Sequence, residues 1–195
     1  MVQLILASNS PRRKKILSDM GLKYEVVPSN YDEKLESDDF SYDKIEDIAT
    51  QKCLDVVRRV DKNSLVLAAD TVVVLHNKIL GKPHTKENAF KMLKELSGNT
   101  HMVVTSICAI NTKTNRAVTM STTSYVRFTQ WSDVMINEYI EKYLPLDKAG
   151  SYGIQELPDG YLDKYEGSFE NIVGLSPEAV FTVLDKLGYK PANIV

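Results

Sequence analysis

The stretch LILASNSPRRKKIL, residues 4–17, constrains the fold of this chain more than any other. An apolar run over 2–7 reads as a buried strand and stops at Ser8-Asn9-Ser10. A helix follows at once over 11–20, with Ser10 as N-cap, Pro11 at the first helical position and Gly21 as its stop. Strand, tight turn and helix in that order open an α/β protein. The charges are unexpected: Arg12, Arg13, Lys14 and Lys15 crowd the first turn, where free N–H groups already leave partial positive charge. With the hydroxyls of Ser8 and Ser10 they gather donors toward one anion, at the carboxyl end of a strand where open α/β sheets bind ligands. Taken alone the cluster also reads as a solvated basic face, which is the reading for Lys14 and Lys15.

The remaining pattern supplies a mixed sheet with flanking helices. Strands are predicted over 24–28, 65–75 and 79–80, and a hairpin over 101–111 and 116–129. Helices are predicted over 44–60, 85–96, 132–143 and 177–187, with a Gly-rich loop region over 150–175. An acidic loop, NYDEKLESDDFSYD, precedes the helix at 44–60. No linker or repeat divides the chain, so one domain over 1–195 is expected. With 43% hydrophobic and 26% charged residues the chain has the composition of a globular protein rather than a disordered one. A net charge of -2 provides no global field for nucleic acid or a membrane surface, so neither is expected as a partner and any anion site must be local.

Only Cys53 and Cys108 occur, without CxxC spacing, which leaves a disulfide framework or thiolate zinc site without support. Residues 1–7 lack the features of a signal peptide, and the longest apolar stretch carries Asp70, so a cytoplasmic protein is expected. His76, His84 and His101 lack metal-ligand spacing, and no GxSxG or GxGxxG motif is present.

Four short stretches can carry chemistry. In LVLAADTVVVL, Asp70 interrupts a strand of Val, Leu and Ala, where an unpaired charge costs several kcal/mol. It is either a structural ion pair or a metal ligand or general base in a cleft. Gly81-Lys82-Pro83 is not a Walker A motif, because Pro83 stands where the metal-binding Ser or Thr is required. It returns from the Asp70 strand and brings the Lys82 ammonium back over the same cleft. Asp32, Glu33 and Lys52 each read as surface charges in isolation. Gln155, after the Gly-rich turn AGSYG, carries a donor and an acceptor that match a uracil or thymine edge, although an ordinary loop Gln reads the same way.

In order along the chain, LASNSPRR, VPSNYDE, AADTVVVLHNKILGKP, AFKMLKELSGNTHMVVTS, KAGSYGIQ and EGSFENIVGL resemble the Maf family of nucleoside triphosphate pyrophosphatases, also called septum formation inhibitors. These stretches run from residue 6 to 175. The resemblance implies an elongated two-lobed α/β fold shared with inosine triphosphatase-like enzymes, with a central cleft. It implies metal-dependent hydrolysis of a nucleoside triphosphate to the monophosphate and pyrophosphate, with Mg²⁺ or Mn²⁺ as cofactor, and a homodimer. Carried over by motif, Asp70 is the catalytic acid/base, Arg12, Thr71 and Gln155 distinguish substrates, and Ser8, Ser10, Arg13, Lys52 and Lys82 bind phosphate. Glu33 and Asp70 hold the metal. ADT and YGIQ are similar to the branch acting on dTTP and UTP rather than on 7-methyl-GTP.

Three positions depart from the family pattern: Asn99 replaces a cation after LSG, Ser106 replaces a glycine, and GLSP replaces GLP. The first is expected to weaken phosphate affinity by removing a charge near the cleft. A non-enzymatic nucleotide-sensing regulator of cell division stands as the rival to a pyrophosphatase.

Overall fold

The computed structural model describes residues 1–33, 37–61 and 63–194; Lys34, Leu35 and Glu36 of the acidic loop lie outside these. The strands are β1 (Gln3–Leu6), β2 (Glu25–Val26), β3 (Ser64–Leu75), β4 (Lys78–Leu80), β5 (Thr100–Asn111), β6 (Ala117–Phe128) and β7 (Leu162–Glu166). They form a seven-stranded mixed sheet in the order β2-β1-β3-β5-β6-β7, with β4 paired to β3. The helices are α1 (Pro11–Asp19), α2 (Tyr42–Val57), α3 (Lys86–Leu96), α4 (Asp133–Tyr143), α5 (Phe169–Val173) and α6 (Pro177–Lys186). Among the described residues, no helix is long and apolar enough to cross a membrane.

Two expectations shift. The second helix begins at Tyr42 instead of 44, because the Ser41 hydroxyl accepts from the Lys44 N–H and Asp43 complements the first turn; it ends at Val57. Apolar periodicity begins only at Ile45, so periodicity alone misses the cap. The region 150–175 is not merely loops but holds β7 and α5. The β7 residues are partly or fully exposed, so no alternation marks them, and a five-residue helix is too short to show a period.

The long strand β3 organises the molecule. Its first half pairs in parallel with β1, from Gln3 opposite Ser64 to Leu6 opposite Leu67. Its last residues pair with β4, from Val73 opposite Leu80 to Leu75 opposite Lys78. On its other edge β5 pairs with it from Leu65 to Val74. Between Leu67 and Val73, therefore, one edge of β3 has neither β1 nor β4 beside it.

Alternation along the strand sends Leu65, Leu67 and Ala69 to one face, in a core with α1 and α6, while Val73 and Leu75 on that same face join a second core with α3 and α4. On the opposite face Val66 and Ala68 pack on Ala49, Cys53 and Val56 of α2, and Val72 and Val74 pack on Ile45 and Ile79. The apolar packing thus divides on both faces at Asp70-Thr71. This division matches the two-lobed arrangement that the family resemblance implies, with the polar pair at the seam. Cys53 and Cys108 are buried free thiols.

The second core is built around aromatic rings. Phe128 stacks on Trp131 at 4.4 Å, and His101 meets Phe128 and Tyr152 edge-on. His101 Nε2 lies 2.7 Å from the Tyr152 hydroxyl, and burial pulls the imidazole pKa down to about 3. The folded state therefore holds this ring neutral, while the unfolded chain protonates it below its ordinary value of about 6.5. Its contribution to stability is complete above that value and is lost progressively as the pH falls toward about 3, at up to about 1.4 kcal/mol per pH unit. The urea midpoint should fall between pH 7 and pH 5, and His101→Gln should flatten that fall. An equal slope in both proteins would show that His101 is not the titrating group.

Candidate active site

A cavity of about 460 Å³ lies at the interruption of β3. Its walls come from the turn after β1, the start of α1, the segment around Ser29–Glu33, the middle of β3, Lys82, the segment 147–156 and the end of α5. Ser8, Ser10, Arg12, Arg13, Glu33, Lys52, Asp70, Thr71, Lys82 and Gln155 all line it. Residues separated by up to 167 positions in the chain, Ala7 to Gly174, are brought together because β3 crosses the molecule and loops from both lobes converge on its middle.

The turn after β1 behaves as its sequence predicts. Ser10 caps α1, its hydroxyl accepting from the Arg13 N–H, and Pro11 occupies the first turn. The Ser10 N–H in turn donates to the Ser8 hydroxyl at 3.2 Å. The four cations then separate by role. Lys15 forms a solvated ion pair with Asp19 at 2.9 Å, one turn along the helix. Arg13 turns inward: its Nε donates to the Gly174 carbonyl at 2.9 Å, its Nη2 to the Thr71 hydroxyl at 3.0 Å and its Nη1 to the Ser8 hydroxyl at 3.4 Å. Burial lowers its pKa, while Asp70 and Glu33 act to raise it and Arg12 to lower it further. The guanidinium fork clasps the first helix to β3 and to the turn after α5.

Asp70 and Thr71 face opposite sides of β3, and each has a separate network. The Thr71 hydroxyl lies 2.9 Å from that of Thr105, which donates to the Asn171 carbonyl at 3.1 Å. Buried Asn171 donates to the Val103 carbonyl and to the Ser124 hydroxyl, which fixes α5 against β5 and β6. The EGSFENIVGL stretch therefore sets the position of the Gly174 carbonyl that receives Arg13.

On the other side, Asp70 is 6% exposed and accepts from the Lys52 ammonium at 2.7 Å. The same ammonium pairs with Glu33 at 2.6 Å. Lys52 is not the surface charge that its isolated position suggests; it is 8% exposed and lies on the inward stripe of α2 with Ile45, Ile48, Ala49 and Val56. That spacing of three and four was the available signal. For Glu33, desolvation acts to raise the pKa but is outweighed by the Lys52, Lys82 and Arg13 charges, and the net shift is downward.

Arg12, Lys82 and Gln155 form a third class. Among the described residues their side chains make no hydrogen bond or ion pair, yet all line the cavity. These donors are free for a ligand, whereas Arg13 and Lys52 are already engaged. The sequence reading assigned no role to Lys148, Tyr152 or Glu156, which line the wall around Gln155. Asp32 does not line the cavity, and neither does Asn99, whose amide donates to the Glu95 carbonyl at the end of α3. The substitution at Asn99 therefore removes no charge from this site, contrary to expectation. Ser106 is likewise away from the cavity, its hydroxyl 2.8 Å from that of Ser121.

A family model described as "Maf-like protein" matches residues 3–187. The chain belongs to this family. Among its Maf-like relatives, a protein of Clostridium perfringens strain SM101 named dTTP/UTP pyrophosphatase is 41% identical over 187 residues, covering 94% of this chain and 96% of the relative. A Caldicellulosiruptor saccharolyticus protein of the same name is 41% identical over 192 residues, covering 97% and 96%. Of solved structures, the Staphylococcus aureus Ham1 protein aligns with a TM-score of 0.45 at 17% identity, covering 93% of this chain and 90% of that one.

The buried pair in this Maf-like site generates a stability test. Lys52→Met leaves the Asp70 carboxylate without its cation and should cost about 3 kcal/mol in urea unfolding. Adding Asp70→Asn should recover much of that loss, and strictly additive costs would show that the two groups are not coupled.

Proposed function

We propose that this chain hydrolyses dTTP and UTP to the nucleoside monophosphate and pyrophosphate. The reading is carried by one observation: cationic donors at a helix N-terminus and on the Lys82 turn, and the Gln155 amide, all without a hydrogen-bond or ion-pair partner among the described residues, line the same cavity as the Asp70 carboxylate. Relatives named for this activity at about 41% identity over nearly the whole chain support it.

In this mechanism the triphosphate lies against the first turn of α1, with Ser8, Ser10 and Arg12 on one side and Lys82 on the other. Its charge is the partner that the helix start lacks, so binding offsets the repulsion between the arginines and the helix dipole. Asp70 accepts the proton of the water that attacks the α-phosphorus, and pyrophosphate leaves. Lys52 holds that carboxylate in place. Catalysis then consists mainly of positioning and charge neutralisation, which needs no covalent nucleophile. Arg13 and Thr71 act by joining α1, β3 and the turn after α5.

Glu33 and Asp70 are the groups that would hold a divalent cation. Each carboxylate gives one oxygen, Glu33 Oε1 and Asp70 Oδ1, to the Lys52 ammonium at 2.6–2.7 Å, so the two groups are held side by side, and Glu33 Oε2 and Asp70 Oδ2, which take no part in those contacts, are the oxygens that would reach an ion. Among the described residues no cluster of three or more acids, histidines or cysteines exists to form an all-protein cage. A pair of carboxylates fits Mg²⁺ or Mn²⁺, a hard ion that takes its other ligands from water and substrate phosphates. Bound there, the ion supplies charge neutralisation at the phosphates. The family resemblance further supports a homodimer.

Pyrophosphate release across a panel of nucleoside triphosphates with Mg²⁺ should be well above background for UTP and dTTP and low for ATP and GTP. Asp70→Asn should lower it by about 10²-fold or more while the fold persists. Retained turnover in that variant would remove Asp70 from proton transfer, and inactivity of the parent protein on every nucleotide would sink the proposal. Gln155→Glu should lower the preference for UTP over CTP, because a carboxylate places an acceptor against the uracil carbonyl. An unchanged ratio would mean that Gln155 does not read the base.

A further inference from the structure

Gln155 is exposed on the cavity rim, and among the described residues nothing hydrogen-bonds its amide. A side chain that no neighbour orients takes its position from its backbone. That backbone belongs to the segment 148–156, which folds into two short 3-10 turns, Ala149–Ser151 and Ile154–Glu156. Turns of this length have little stability of their own. What holds them is a set of ties to the rest of the fold. The Gly150 N–H donates to the Gly81 carbonyl, next to Lys82, at 3.1 Å. The Gly153 N–H donates to the Tyr139 hydroxyl at 3.1 Å. Gly150 has φ +66°, and a Cβ there would stand 2.8 Å from a Val73 methyl, so the first turn lies directly on β3.

The ends of the segment are joined by charge. Lys148 precedes the first turn and Glu156 closes the second, and the Lys148 Nζ lies 3.2 Å from the Glu156 carboxylate and 3.7 Å from Asp147. The Lys148 side chain is only 11% exposed. Lys148 is thus paired, unlike Arg12 and Lys82, and is not a free phosphate donor. Gly153 packs against this pair: a Cβ there would lie 3.0 Å from Glu156 Oε2 and 3.4 Å from Lys148 Cε. The ion pair and the glycine under it bracket the residue that presents its amide to the cavity.

We infer that Lys148 and Glu156 are positioning residues for base selection, a charged staple that closes the 148–156 segment and fixes where Gln155 meets the pyrimidine. This inference rests on the pyrophosphatase reading above and deepens it. A staple of this kind acts on discrimination between bases more than on the chemistry at the α-phosphorus, because Asp70 and the α1 turn stand on other elements.

The test compares kcat/KM for UTP and CTP in the parent protein, Glu156→Gln, Lys148→Met and Lys148→Arg, with thermal unfolding of each. In both Glu156→Gln and Lys148→Met the UTP/CTP ratio should fall by about tenfold. In Lys148→Arg, which keeps a cation within reach of both carboxylates, the ratio should return toward that of the parent. A ratio that stays constant in the first two variants overturns the staple, whether their turnover is kept or lost equally on both nucleotides; equal loss would instead assign Lys148 to the phosphates. If Lys148→Met lowers the melting point so far that it cannot be assayed, the near-isosteric Glu156→Gln decides by the same ratio. Inactivity of the parent protein on all nucleotides defeats the pyrophosphatase reading itself and the staple with it, and is distinguishable because it appears before any variant is compared.

Discussion

Burying the carboxylate of Asp70 in the middle of β3 is the constraint on which the rest of the structure depends. An isolated charge there is too costly to keep, so a cation must reach it from a neighbouring element. Lys52 does so from the inward face of α2, at 2.7 Å. With Thr71 engaged by Arg13 on the opposite face, the strand carries two polar networks at one level, and the hydrophobic core divides there into separate clusters. The cavity is the space left at that division.

The basic start of α1 belongs to the same scheme. Its cations differ in what they touch: Arg13 is bound into the protein by the Gly174 carbonyl and by hydroxyls, while Arg12 lines the cavity without a partner among the described residues. One arginine organises the site and the other is free to bind an anion. Paired and unpaired charges in one cavity are what distinguish structural groups from ligand-binding ones here, since both kinds look alike in composition.

Much of this was legible in the chain. The cap at Ser10, the proline after it and the apolar run before it specify a strand, a turn and a helix by local rules, and the structure has all three. The lone aspartate among β-branched residues required a partner, and the Gly-Lys-Pro turn brought Lys82 back to the cavity as expected. Lys52 was less legible, because its place on the buried stripe is meaningful only once α2 is known to cover Asp70. The strand β7 and helix α5 were missed because their exposed or short sequences show no period, although Asn171 within α5 is buried and anchors it by side-chain hydrogen bonds. The expected effect of Asn99 failed for a related reason: neighbourhood in sequence to the cleft motifs does not place it in the cleft.

What the sequence determined by itself were the local elements, their caps and the requirement for a buried counter-charge, because these depend on backbone hydrogen bonding and solvation within a few residues. Tertiary structure alone decided which cation meets Asp70, which arginine stays free, and how the segment 148–156 is tied across the cavity. Those outcomes depend on β3 pairing with β1 at one end and β4 at the other, which leaves its middle edge open to loops distant in the chain. No local rule contains that information, since a side chain's partner is set by the register and crossing of elements that meet only in the folded state.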